Sequence, residues 1–156
     1  MTSRDAIDRK ILDELQRNAR ISWVELSEKV NLSASACQRR VQSLEDEGVI
    51  TGFSATVDPR ALGYDIEAYL SVRVERHDVK SALEFRRAIA SYPEVRSCRM
   101  MTGDIDFLLR VIATDVRAYG RFVEDKILKL PGVTDASTSI VLDLIKNDDD
   151  GIMQPG

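Results

Sequence analysis

Between Ser33 and Glu47, the residues Ser35, Arg39 and Gln42 stand at i, i+4 and i+7, with Gln38 and Arg40 beside them. On a helix this spacing gathers hydroxyl, guanidinium and amide groups on one face. Such groups match the donor and acceptor edges that base pairs present in a major groove. Arginine can bond a guanine edge through two parallel hydrogen bonds, worth ~1–3 kcal/mol of discrimination, so Arg39 is the candidate base reader. Ser35, Gln38 and Gln42 can read or buttress neighbouring bases, while Arg40 and the hydroxyls of Ser33 and Thr51 suit phosphates. The competing reading is that Arg39 and Arg40 only decorate a solvated helix face.

A second group of chemically capable residues is Gly103-Asp104-Ile105-Asp106. Glycine permits close backbone approach, and a carboxylate beside free amides can take an ammonium group while the amides take a carboxylate. That combination suits a free amino acid. The alternative is a hairpin turn in which aspartate bonds its own backbone. Catalytic chemistry finds little support. His77 is the only histidine and falls in an expected solvated loop beside Arg76 and Asp78. Asp104 and Asp106 lack a second group of suitable chemistry, and no nucleophile triad, nucleotide-binding glycine loop or metal cluster can be assembled. Cys37 and Cys98 have no metal-ligand spacing and are expected as small buried apolar side chains.

The elements that must position these residues follow from periodicity. Ile7, Ile11, Leu12 and Leu15 recur at helical spacing from Asp5 to about Asn18, which predicts an amphipathic first helix. Ser22 followed by Glu25 has the form of a capping box, opening a short second helix with Trp23, Leu26 and Val30 as its apolar stripe. Asn31 and Leu32 make a tight turn, and Ser33 is placed to cap a third helix running to about Glu47 and stopping at Gly48. Cys37, Val41 and Leu44 form that helix's packing side, opposite Ser35, Arg39 and Gln42. Three short helices with so brief a turn are the skeleton of a helix-turn-helix. Val49 to Val57, interrupted by Gly52, reads as a small hairpin or wing, and Asp58-Pro59 and Gly63 mark a linker.

From Ile66 the pattern becomes alternating and doubled. A strand from Ile66 to Arg76, a helix around Val79 to Ser91 and a strand from Val95 to Thr102 are followed by a strand from Ile105 to Thr114, a helix from Val116 to Leu130 and a strand from Val133 to Ile145. Tyr92-Pro93-Glu94-Val95 and Leu130-Pro131-Gly132-Val133 stop the two helices in matching fashion. The fold class is therefore α+β: an N-terminal winged helix-turn-helix over 1–60, a C-terminal ferredoxin-like βαββαβ sandwich over 61–146, and a flexible tail over 147–156. In the third strand Leu108 and Ile112 alternate with Phe107, Leu109 and Val111, so both sheet faces carry apolar residues. A second copy of the same sheet would cover the exposed face, which predicts a symmetric dimer.

The run Leu32-Ser33-Ala34-Ser35-Ala36-Cys37-Gln38-Arg39-Arg40-Val41, continuing through Leu44-Glu45-Asp46-Glu47-Gly48-Val49-Ile50, resembles the recognition helix and wing of Lrp/AsnC regulators. Gly103 to Val111, followed by Leu130-Pro131-Gly132-Val133, resembles the ligand-binding and assembly domain of the same family. The resemblance extends from about Ile7 to Lys146. It departs at Ala34 and Ala36, where relatives often carry a proline, and at Ser43, where many have a basic residue. It implies a ligand cleft between neighbouring subunits lined by Met101, Thr102, Gly103, Asp104, Asp106, Ser137 and Ser139. It also implies a small effector, an amino acid, as the only bound cofactor, and double-stranded DNA and further copies of the chain, as dimer, tetramer or octamer, as partners.

Composition limits the classes. With 44% hydrophobic and 31% charged residues over 156 positions, the chain can bury a core. Met1 to Lys10 lacks the form of a signal peptide, and no run approaches the ~20 apolar residues of a bilayer span, so a cytoplasmic protein with no membrane partner is expected. The net charge of −4 weighs against nucleic acid only on average, because a local cationic face can sit on an acidic body. Two rivals remain. One is an effector-binding module or metabolic enzyme on a ferredoxin-like fold. The other is single-stranded RNA binding, for which Tyr69 is the only stacking aromatic in the first two strands.

Overall fold

A computed structural model of the chain describes residues 5–75 and 79–146. Arg76, His77, Asp78 and the tail from Asn147 lie outside the described residues. The chain divides into two compact units: the described residues before Val57, with Ile145 and Lys146, make up the first, and 57–144 the second.

In the first unit, α1 (Ala6–Arg17), α2 (Trp23–Val30) and α3 (Ala34–Asp46) are each opened by a side-chain cap. Asp5 Oδ1 accepts the N–H groups of Ile7 and Asp8 at 3.0 and 2.7 Å. The capping box at Ser22 and Glu25 is complete in both directions. Ser33 Oγ accepts the Ala36 N–H at 3.2 Å. These caps satisfy N–H groups that have no intrahelical partner and stabilise each helix by ~1 kcal/mol. Asn31, in the left-handed region at φ 56°, turns the chain from α2 into α3. The three helices share one core of Ile11, Leu15, Leu26, Val30, Cys37, Val41 and Leu44, with Ile7, Leu12, Ile21, Leu32 and Ile50 packed around it.

The strands of the hairpin expected over Val49 to Val57 are not formed. Val49 and Ile50 both donate to the Leu44 carbonyl, at 2.8 and 3.0 Å, but residues 51–58 are exposed and carry no strand. The arms on either side of Gly52 are only a few residues long, and an isolated two-stranded hairpin has too little packing to hold in water.

The second unit follows the doubled pattern. A short 3-10 turn at Arg60–Leu62 leads to β1 (Ile66–Val74), α4 (Val79–Ser91), β2 (Val95–Met100), β3 (Phe107–Ala113), α5 (Val116–Phe122) and β4 (Val133–Ile140). The strands form one sheet in the order β2-β3-β1-β4, with every pairing antiparallel. This is the ferredoxin-like arrangement. Ala68, Leu70 and Val72 alternate inward along β1 and join Leu109 and Val111 of β3 against Phe85, Phe122 and Ile127 of the helical layer. The Phe85 and Phe107 rings stack with centroids 4.7 Å apart, and the Tyr119 hydroxyl meets Thr138 Oγ1 at 2.9 Å.

All four strands end sooner than the alternation predicts. A register shift at Arg73/Val74 changes the pairing at the end of β1, where Val74 stands opposite Val133, and Leu142, Leu144 and Ile145 stand exposed beyond β4. The helix expected over 116–130 changes after Phe122 into a π-turn at Val123–Ile127. The wider turn brings Phe122 and Ile127 closer to one face than regular α geometry would, and both are buried.

The sheet's other face is more polar than expected. It carries Tyr69 and Ser71 of β1, Ser137 and Ser139 of β4 opposite them, and a two-bond ion pair between Glu67 and Arg110 at 2.7 and 3.2 Å. Ile112 is already buried in the single chain, and Leu108 is half-buried.

Gly132, at φ +78°, turns the chain into β4, and its carbonyl accepts the Glu75 N–H at 2.7 Å. A Cβ there would meet the Ser81 Cβ at 3.0 Å. Gly132→Ala should therefore lower stability by ~1–2 kcal/mol for the left-handed backbone alone. The urea midpoint should fall with an unchanged slope; an unmoved midpoint would contradict the assigned turn.

Candidate DNA-reading helix and effector cleft

Helix α3 has two distinct sides. Cys37, Val41 and Leu44 are at most 3% exposed, whereas Ser33, Ser35, Gln38, Arg39 and Gln42 are all exposed, as is Thr51 beyond the helix. The burial of three residues at i, i+4 and i+7 dictates that the opposite stripe faces outward. Among the described residues, Arg39 forms no hydrogen bond or ion pair, so its guanidinium is open to an outside partner.

The other polar groups on α3 are partly engaged. Ser33 and Ser35 hydroxyls lie 3.2 Å apart. Gln42 Nε2 donates to Asp46 Oδ1 at 3.0 Å, and Ser43 Oγ donates to Glu47 Oε1 at 2.9 Å. The helix thus runs from a neutral and basic first half to an acidic last turn. With its positive dipole end also at the start, the first half is the part that phosphates admit.

Arg40 is placed differently from the expectation that it holds a phosphate. Its Nη1 donates to Asp5 Oδ2 at 2.8 Å and to Asp8 Oδ1 at 2.7 Å, the cap and the first turn of α1. The Asp5 carboxyl is held below the usual carboxylate range, first by the Asp8 backbone N–H and then by the Arg40 guanidinium.

In the second unit, the segment between β2 and β3 is tied at several points. Met101 N–H donates to the Asp106 carbonyl at 2.9 Å, Asp106 N–H donates to the Val72 carbonyl at 3.0 Å, and Asp106 Oδ2 accepts the Val74 N–H at 3.0 Å. Arg73 Nε donates to the Asp104 carbonyl at 2.6 Å. Gly103, at φ +106°, makes this path possible. Asp106 thus bonds backbone, as the turn reading expects, but the backbone of β1 rather than its own.

This segment forms one wall of an open cleft of about 570 Å³. Met101, Thr102, Gly103 and Asp106 line it, and the structure brings these four together. Asp104 is not among the lining residues, and Ser137 and Ser139 sit on β4, on the face of the sheet away from the helices. The remaining walls were not legible in the sequence: Glu75 beyond β1, and Ala82, Leu83 and Arg86 on α4. Arg86 Nη2 donates to the Met100 sulfur at 3.3 Å. It is a cation in a cleft whose other charged lining groups, among the described residues, are Glu75 and Asp106. The available signal was the position of Leu83 and Arg86, one helical turn apart and flanking the core residue Phe85.

A neighbouring cavity of about 540 Å³ lies between α4 and β2, lined by Arg86, Ile89 and Cys98 among others. Cys37 is buried as expected, but Cys98 is exposed. The correction has a simple cause: β2 is an edge strand, and α4 leaves its middle uncovered. No cluster of three or more metal-ligating side chains occurs among the described residues, and no helix among them is long and apolar enough to cross a membrane.

Comparison with known proteins matches a winged helix-turn-helix DNA-binding model over residues 4–51 and the Lrp/AsnC ligand binding domain over residues 67–150. A proline dehydrogenase transcriptional activator of Rhizobium radiobacter is 39% identical over 142 residues, covering 91% of each chain. The leucine-responsive regulatory protein of Haemophilus influenzae is likewise 39% identical, covering 91% of this chain and 86% of its own. Among solved structures, a transcriptional regulator of Neisseria meningitidis in complex with L-Met superposes with a TM-score of 0.89 at 39% identity, covering 93% of this chain and 94% of its own. The relatives are regulators rather than enzymes. With a capped helix presenting its polar side outward in one unit and a ligand-binding domain in the other, the chain belongs to the Lrp/AsnC family of DNA-binding transcriptional regulators.

Proposed function

We propose that this regulator reads double-stranded DNA through the outward stripe of α3, with Arg39 bonding a base edge and Ser35, Gln38 and Gln42 contacting or buttressing its neighbours. Ser33 and Thr51 hold phosphates at the two ends. The observation that carries this reading is the exposed, unengaged Arg39 on a helix whose opposite side is locked into a core. A DNA partner supports a cytoplasmic location.

The effector is a free amino acid seated in the cleft beside Gly103. Arg86 takes its carboxylate and Glu75 or Asp106 its ammonium group, while Leu83, Met100 and Phe107 supply an apolar wall for the side chain. The charge pattern of this cleft supports the reading, and the Neisseria relative is a complex with L-Met. No other cofactor is required. Ser137 and Ser139 reach such a ligand only from another subunit.

Association of copies through the mixed face of the sheet, where Tyr69 and Leu108 remain incompletely covered, gives a dimer that pairs two recognition helices on a roughly palindromic site. Further assembly to tetramers or octamers raises occupancy through effective concentration. Effector binding then biases assembly or the spacing of the DNA-binding heads, a coupling of ~1–3 kcal/mol.

Fluorescence anisotropy with the DNA upstream of the chain's own gene, across a salt series, tests the first part. Operator affinity should fall steeply with salt and exceed that for scrambled duplex, and Arg39→Ala should erase about tenfold or more of that preference. An unchanged preference would remove Arg39 from the reading set. Calorimetry with a panel of amino acids tests the second part. At least one should bind, and Arg86→Ala should weaken it about tenfold or more, the scale of a lost charge-assisted hydrogen bond. Undiminished binding would place the effector elsewhere.

A further inference from the structure

Arg39 and Arg40 are adjacent in sequence, yet the structure gives them opposite surroundings. Arg39 is exposed and unengaged. Arg40 is two-thirds covered, its side chain 35% exposed, and bridges two carboxylates of α1 that lie more than thirty positions away in sequence.

The two acceptors are themselves fixed. Asp5 spends Oδ1 on the cap of α1 and offers Oδ2 to Arg40, so its carboxylate cannot turn without releasing the helix start. Asp8 is only 18% exposed. If Arg40 swung away to a phosphate, it would leave this half-buried carboxylate uncompensated beside a polyanion, a costly arrangement. Among the described residues, one guanidinium against these two carboxylates also leaves the bridge with no surplus positive charge for DNA.

We infer that Arg40 is a positioning residue, which sets the rotation of α3 about its own axis by anchoring it to the start of α1 and thereby aims Arg39. The inference rests on the reading that α3 enters a groove. The apolar contacts between α1 and α3 are non-directional and tolerate small rotations, whereas a guanidinium held between two fixed oxygens does not. A helix is ~10–12 Å across with its side chains, so a turn of ~20° about its axis moves a side-chain tip by ~2 Å. That displacement breaks a two-bond contact to a base edge.

The test is a double-mutant cycle with Arg40→Met, Asp8→Asn and their combination. For each, the ratio of affinities for the upstream duplex and a scrambled duplex of the same length is read together with the salt slope. Both single variants should lower the ratio by about tenfold, the scale of one displaced base contact, with no further loss in the double variant and no change in slope. General loss of folded protein lowers both affinities alike and leaves the ratio unmoved, so the ratio isolates positioning. Asp5→Asn, which keeps a competent cap while weakening one bond to Arg40, should give an intermediate loss and serves if the other variants fold poorly. The inference is overturned if Asp8→Asn strengthens operator binding, if Arg40→Met lowers the salt slope by about one unit as a lost phosphate contact would, or if the ratios stay at the wild-type value. A wild-type chain that fails to distinguish the two duplexes instead brings down the DNA reading itself.

Discussion

The burial of Cys37, Val41 and Leu44 against Ile11, Leu26 and Val30 is the constraint on which the DNA-reading unit depends. Fully burying an aliphatic side chain contributes ~1.5–3 kcal/mol, far more than any single polar contact on the helix surface. Because those three residues share one face of α3, their burial alone decides that Ser35, Arg39 and Gln42 point outward. The caps at Asp5, Ser22 and Ser33 then fix where each helix begins, and the αL turn at Asn31 sets α3 close behind α2. Polar chemistry on the helix is available for recognition because apolar packing keeps that stripe outward, within the small rotation that the Arg40 bridge to Asp5 and Asp8 fixes.

The same division of labour holds in the second unit. The alternating residues of β1 and β3 close a core against α4 and the Phe122 to Ile127 stretch, and what the core does not use becomes the site. Asp106 connects the two roles. Its carboxylate and its backbone both bond to β1, so the segment around Gly103 is anchored next to the end of that strand and faces α4. The resulting cleft presents a cation from the helix and carboxylates from the sheet end. Two units with separate cores can each be altered without dismantling the other, which suits a protein that must both hold DNA and respond to a ligand.

Much of this was legible from residue types and spacing. The capping box at Ser22 and Glu25, the two sides of α3 and the repeated Pro-bounded βαβ units all depend on local chemistry, and all are present. What was not legible depends on contacts distant in sequence. Arg40 lies 35 positions from Asp5, and although helical spacing sets it nearer the packing side than Arg39, nothing local names its partners. Arg86 and Glu75 join Gly103 only once the sheet has folded. The exposure of Cys98 follows from the edge position of β2, a property of strand order rather than of the Cys98 neighbourhood. The hairpin expected around Gly52 illustrates the converse: β-prone residues and a glycine make a hairpin only where something packs against it.

Methylation interference on an operator duplex addresses the account most directly. Methyl groups placed on guanine N7 occupy the major-groove edge that an arginine on α3 would bond. At least one guanine in each half-site should exclude the protein when so modified, and methylation of adenine N3 in the minor groove at neighbouring adenines should not. If the bound and unbound fractions carried the same pattern of N7 methylation, no side chain of α3 would be reading the major groove, and the outward stripe would have some other purpose.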